Sequence, residues 1–137
     1  MDEPLNLVLF SGTDDKLQAA AVLTAGAAAL GRPVNIFLQY WALEAFRADR
    51  IDLDHGLAPE AGSAGRAAVA ALRAAGQASW ADTLRQAKDL GGVDIEACSL
   101  SMDLFHLEES DLDPLVNGVE GVTAFWLSAG AGPVVFI

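Results

Sequence analysis

Cysteine is nearly absent from this chain: Cys98 is the only one in 137 residues. An internal disulfide is therefore excluded, and with it the usual staple of small secreted domains. Basic residues are scarce as well. Eight Lys and Arg stand against nineteen Asp and Glu, a formal net charge of −11. A surface of that sign repels phosphate backbones and anionic lipid, so neither nucleic acid nor a membrane is an expected partner. Long apolar runs are missing: Leu17 to Leu30 carries no charge, but it is short of a membrane span and mostly alanine. The opening Met1-Asp2-Glu3-Pro4 is acidic where a signal peptide is basic. A cytoplasmic protein is the expectation.

What is present is apolar sequence in short, punctuated pieces. Hydrophobic residues make up 53% of the chain and mean hydropathy is +0.32, a surplus for so small a protein. Part of it is expected in subunit contacts, hence a homo-oligomer. No repeat or linker divides the chain, so residues 1–137 read as one domain.

Leu5 to Phe10 reads as a strand apolar on both faces, as in a parallel sheet. Ser11 to Lys16 is a turn, with Thr13 or Asp14 as helix N-cap. The helix that follows aligns Leu17, Ala20, Ala21, Thr24, Ala27 and Ala28 and stops at Gly31. Val34 to Leu38 is the second strand, and Trp41 to Phe46 a short helix. Asp49 to Gly65 reads as a loop, Arg66 to Ala75 as an alanine-rich helix. A better helix starts from Ser79, with Trp80, Leu84, Ala87 and Leu90 on one side. Val93 to Cys98 is a strand, a short one lies near Val119 to Val122, Thr123 caps a last helix, and Pro133 to Ile137 closes the chain. The alternation implies an α/β protein: a three-layer α/β/α sandwich on a mostly parallel sheet of about five strands. In such folds ligands gather at the carboxyl ends of the strands. Three stretches should meet there: Ser11 to Lys16, Gln39 to Trp41, and Cys98 to Ser101.

Cys98 ends its strand where a helix begins, with Ser101 as the expected N-cap. Unpaired backbone donors and the positive end of a helix dipole favour the thiolate, the reactive form of cysteine. The bland reading is a small buried hydrophobe.

Three blocks resemble the DsrE/DsrF-like superfamily, in particular its DsrE2-like branch, whose members are often labelled "peroxiredoxin family". They are Phe10-Ser11-Gly12-Thr13-Asp14-Asp15-Lys16, Val34 to Leu43 with Trp41 in register, and Ala97-Cys98-Ser99-Leu100-Ser101-Met102-Asp103. The last is similar to an Ala-Cys-x-x-Ser-Met-Asp motif. The resemblance implies a DsrE-like fold, homo-oligomers and sulfur trafficking. Cys98 would carry sulfane sulfur as a persulfide and pass it to a TusA-like carrier or a rhodanese. The chain departs from that branch between Asp49 and Ser79, which is rich in alanine and glycine where methionine is expected. The threonine and arginine of a peroxidase site are not found around Cys98.

The supporting candidates are Ser11, Gly12, Asp15, Lys16, Trp41, Ser101 and Met102. Each has an ordinary alternative: helix capping for the Ser11 to Lys16 turn and for Ser101, core or interface packing for Trp41 and Met102. The turn could cradle an anion, Lys16 adding charge, although the glycine spacing is not that of a P-loop. His55 and His106 lack ligand spacing with Cys98, so no metal and no cofactor is implied. His106 is a candidate base or simply an exposed histidine. With one cysteine, an adduct must go to another molecule, so a sulfur carrier or sulfurtransferase is the leading reading. The alternative is an oligomeric scaffold subunit with a structural cysteine.

Overall fold

The computed structural model describes residues 3–137. Met1 and Asp2, part of the acidic start, lie outside the described residues. The elements run β1 (Leu5–Leu9), α1 (Asp14–Ala29), β2 (Val34–Leu38), α2 (Tyr40–Ala45), α3 (Gly62–Ala74), α4 (Trp80–Leu90), β3 (Val93–Cys98), α5 (Ser99–Leu104), β4 (Gly118–Glu120), α6 (Val122–Ala129) and β5 (Val134–Phe136). One sheet contains the five strands in the order β4-β3-β2-β1-β5, every pair parallel. The first four strands are added in one direction, and β5 returns to the far side of β1. Right-handed crossovers then place α6 on the face opposite α1 and α4.

The two faces are unequal. Side chains alternate along each strand, so Leu7, Leu9, Ile36, Leu38, Ile95 and Ala97 point one way. They meet Leu17, Ala20, Ala21 and Ala28 of α1 and Trp80, Leu84 and Ala87 of α4 in the main core. The small residues let α1 lie close to the sheet. The second face carries Asn6, Val8, Asn35, Phe37, Asp94, Glu96 and Cys98, and α6 is the helix that buries a side chain on it, Phe125. Asn6, fully buried, donates from Nδ2 to the carbonyls of Ala129 and Pro133, both at 3.2 Å. Asn35 Nδ2 donates to Asn6 Oδ1 at 3.0 Å and to the Ser128 carbonyl at 3.1 Å. These two strand asparagines satisfy carbonyls in the last turn of α6, which have no partner within the helix.

Helix ends account for several differences from expectation. Gly31 (φ +75°) and Arg32 close α1 through bonds to Ala28 and Ala27, the double bond of a left-handed C-terminal cap. Thr13 is the N-cap of α1, with no side-chain cap bond. Ser79 does cap α4, accepting from the Asp82 N–H at 3.1 Å. Ser101 is not a cap: α5 begins two residues earlier, with Cys98 as N-cap residue. Thr123 likewise lies inside α6, whose N-cap residue is Gly121. Leu90, expected with the buried side of α4, is exposed at the helix end.

α3 buries none of its residues. An alanine-rich helix of this length is marginal alone, and its tether is ionic. Asp14, at the start of α1 and 6% exposed, accepts from Arg73 Nη2 at 2.6 Å, from Trp80 Nε1 at 2.9 Å and from the His55 backbone N–H at 3.0 Å. One carboxylate therefore ties α3, α4 and the loop before them to α1. Removing a buried acceptor strands its donors. Asp14→Ala should lower unfolding free energy by roughly 2–4 kcal/mol and speed proteolysis within residues 53–77. Denaturant titration and limited proteolysis check this, and a loss below about 1 kcal/mol would contradict it.

Candidate functional site

Cys98 sits at the last position of β3, on the thinly covered face. Its side chain is 6% exposed and packs with Phe37 and Phe125, Val8 lying beside them. The two phenyl rings stack, centroids 5.0 Å apart and planes 21° from parallel. As N-cap residue of α5, Cys98 has extended backbone and makes no side-chain bond to the first-turn N–H groups. The thiol therefore turns away from the helix end that was expected to activate it and towards α6.

Carboxylates share that face. Asp94 and Glu96 precede Cys98 at two-residue steps, and Glu120 is its register partner on β4. Gly118, opposite Glu96, leaves room for the Glu96 carboxylate; a Cβ there would lie 3.0 Å from Oε2. Burial, then the charges of Asp94 and Glu120, a hydrogen bond shared with Asp94, and the charge of Glu109 push the Glu96 carboxyl up to about 7. Burial and Asp94 raise Glu120 too. This alternation is plain in Val93-Asp94-Ile95-Glu96-Ala97-Cys98, yet the sequence reading drew no site from it.

At the carboxyl edge, the turn after β1 and the segment after β2 do meet. Gly12 lies against the Trp41 backbone so closely that a Cβ would collide with the Trp41 carbonyl. Tyr40 has φ +46°, a left-handed conformation unusual for a bulky residue, and its N–H donates to Ser101 Oγ at 3.1 Å. Ser101 thus joins α5 to the β2 edge. Ser11, Gly12 and Trp41 line an open groove of about 470 Å³ with Thr13, Arg50, His55 and Phe105.

Other candidates lie apart. Lys16 is exposed on α1, the helix of the opposite face. Asp15 lines a separate cleft of about 590 Å³ beside α3. Burial works against the Asp15 carboxylate, but hydrogen bonds from the Thr13 side chain and the Ala58 and Lys16 backbones outweigh it and hold its pKa below the ordinary value. The turn is no anion cradle, because its donors are taken: the Asp14 N–H by the Gly56 carbonyl, the Lys16 N–H by Asp15, the Thr13 N–H by Ser11 Oγ. Met102 is buried in the main core. His106, exposed with φ +54°, occupies the left-handed position that closes α5, the Leu107 N–H reaching back to Met102. No cluster of three or more metal-binding side chains occurs among the described residues. Nor is any described helix long and apolar enough to cross a membrane.

Residues 1–61 match the model of the DsrE/DsrF/DrsH-like family. Two solved structures share the fold. The ychN protein of E. coli superposes with a TM-score of 0.59 at 12% identity, each chain covered in full. The protein of unknown function MTH1491 from Methanobacterium thermoautotrophicum gives 0.54 at 14% identity over 99% of this chain and 100% of that one. The first 61 residues are thus similar to that family, and the fold is that of ychN and MTH1491. Among curated proteins, the uncharacterized protein YrkE of Bacillus subtilis (strain 168) is 29% identical over 148 residues, covering 93% of this chain and 92% of that one. The sheet carries its cysteine and its carboxylates together on the face under α6.

The raised carboxyls have a consequence for stability. A carboxyl whose pKa rises on folding holds its proton more tightly in the native state, so stability falls as pH climbs from the ordinary glutamate value of 4.5 to about 7. Glu96→Gln should flatten that decline, raising the melting temperature more at about pH 8 than at about pH 5. Equal shifts at both pH values would contradict it.

Proposed function

We propose that this DsrE-like protein works in sulfur relay, with Cys98 carrying sulfane sulfur between a persulfide donor and an acceptor such as a TusA-like carrier or a rhodanese. The observation that carries the reading is the place of the thiol. It ends a central strand of a parallel sheet, at a strand-to-helix junction, beneath one helix rather than two. The likeness to the DsrE/DsrF/DrsH-like family supports the chemistry.

In that chemistry the Cys98 thiolate attacks the outer sulfur of a donor persulfide. The donor S–S bond breaks, the donor leaves as a thiolate, and a Cys98 persulfide remains. The acceptor thiolate then repeats the attack on the outer sulfur and Cys98 is regenerated. No net oxidation occurs in either step. With Cys98 as its one cysteine, the chain cannot resolve the adduct as an internal disulfide, so hand-over to another molecule follows. Cys98 is buried in a cluster with Phe37 and Phe125, so both transfers need this packing to open.

Self-association belongs to the same proposal. Val122, Trp126 and Leu127 of α6 and Phe136 of β5 are large apolar side chains left exposed, the kind of surface that subunit contacts cover.

The burial of Cys98 against a stacked pair of phenyl rings favours a second reading, in which the cysteine is a packing residue of an oligomeric scaffold subunit. Intact mass after incubation with a low-molecular-weight persulfide separates the two. A relay protein gains about one sulfur mass on wild type and none on Cys98→Ser, and loses it to an added thiol carrier. No sulfur gained by wild type, or an equal gain by the variant, would refute the relay.

A further inference from the structure

The groove at the carboxyl ends of β1 and β2 has a chemistry of its own, separate from Cys98. Its wall is set by backbone. Gly12 admits the Trp41 main chain at close range, and the left-handed Tyr40, pinned through its N–H by Ser101 Oγ, turns the chain outward there. Trp41 is left 54% exposed, braced by Phe105 with ring centroids 5.7 Å apart. A large indole held half open beside a concavity is an aromatic platform, and the edge it occupies is where parallel sheets bind ligands.

Polar groups converge on the same space. The hydroxyls of Ser11 and Thr13 lie 3.3 Å from each other. His55 lines the groove, and its buried Nε2 has no hydrogen-bond partner. Arg50 has its side chain 51% exposed, and its ion pair with Glu44 is a single contact at 3.5 Å. Glu44 also pairs with Arg47 Nη1, at 3.5 Å. A pair this long, made by one nitrogen of a half-exposed arginine, contributes little, so the guanidinium keeps donors for a ligand. The cleft beside α3 is more acidic: Asp14, Asp15, Asp52 and Asp54 line it with Arg73. The groove holds one carboxylate, Glu44, against Arg50, so an anion meets less repulsion there.

We infer that the groove binds a small molecule consisting of a planar aromatic ring with one anionic group, the ring lying on Trp41 and the anion meeting Arg50. A space of about 470 Å³ is within the usual range for small-molecule sites. The inference does not depend on sulfur relay and uses no atom of Cys98.

Titration calorimetry on the full chain tests it with three probes of one shape: naphthoate, naphthamide and naphthylmethylammonium. Saturable binding is expected, with naphthoate tightest and the ammonium weakest. Arg50→Gln should weaken naphthoate roughly tenfold while naphthamide stays within about twofold. Trp41→Ala should weaken both, and because the indole is half exposed the variant should fold, which far-ultraviolet circular dichroism checks. Absence of saturable naphthoate binding overturns the proposal. So does naphthoate affinity that survives either substitution, or a preference for the ammonium probe.

Discussion

One docking contact organises this protein: two adjacent strand asparagines, Asn6 and Asn35, hold the last turn of α6 against the sheet. The strand order makes that contact necessary. Because β5 must reach the far side of β1, the chain crosses the whole second face once, and one helix of eight residues is its crossing. The opposite face receives two packed helices and an aliphatic core. The second face is sealed instead by amide hydrogen bonds at one end of α6 and by Phe125 nearer Cys98. A buried amide with its bonds made is specific, but adds less than an apolar core of the same area.

The chemistry of the molecule is distributed along that asymmetry. Asp94, Glu96, Cys98 and Glu120 all belong to the thin face, where a carboxylate keeps some contact with water and a thiol has one layer above it. On the thick face the same residues would be charges in an aliphatic core, which is costly without partners. Asp14 is the exception that fits the rule: buried near the start of α1, it has an arginine, an indole N–H and a backbone N–H around it.

Much of the architecture was legible in the sequence, for physical reasons. The buried stripe of α1, with Leu17, Ala20, Ala21, Thr24, Ala27 and Ala28, is the stripe that helical periodicity picks out. Val34–Leu38 and Val93–Cys98 match residue for residue, since glycine or proline bounds them on one side and a helix on the other. Less legible were features set by distant partners. Ser101 looks like a cap but bonds the Tyr40 N–H, because only the folded chain brings α5 to the β2 edge. Asn6 and Asn35 carry no such signal in the sequence, since their partners lie some hundred residues away. The same limit applies to the thiol. A strand-to-helix junction was readable; which way Cys98 would point, and that Phe125 would pack beside it, depended on the route of α6.

The central claim is that Cys98 is covered by a locally weak layer rather than by the global core. Native-state alkylation of Cys98 across a denaturant series measures this directly. The account predicts labelling through a sub-global opening of α6, with a smaller free energy and a much shallower denaturant dependence than unfolding of the whole domain. Labelling that follows global unfolding at every denaturant concentration would contradict it.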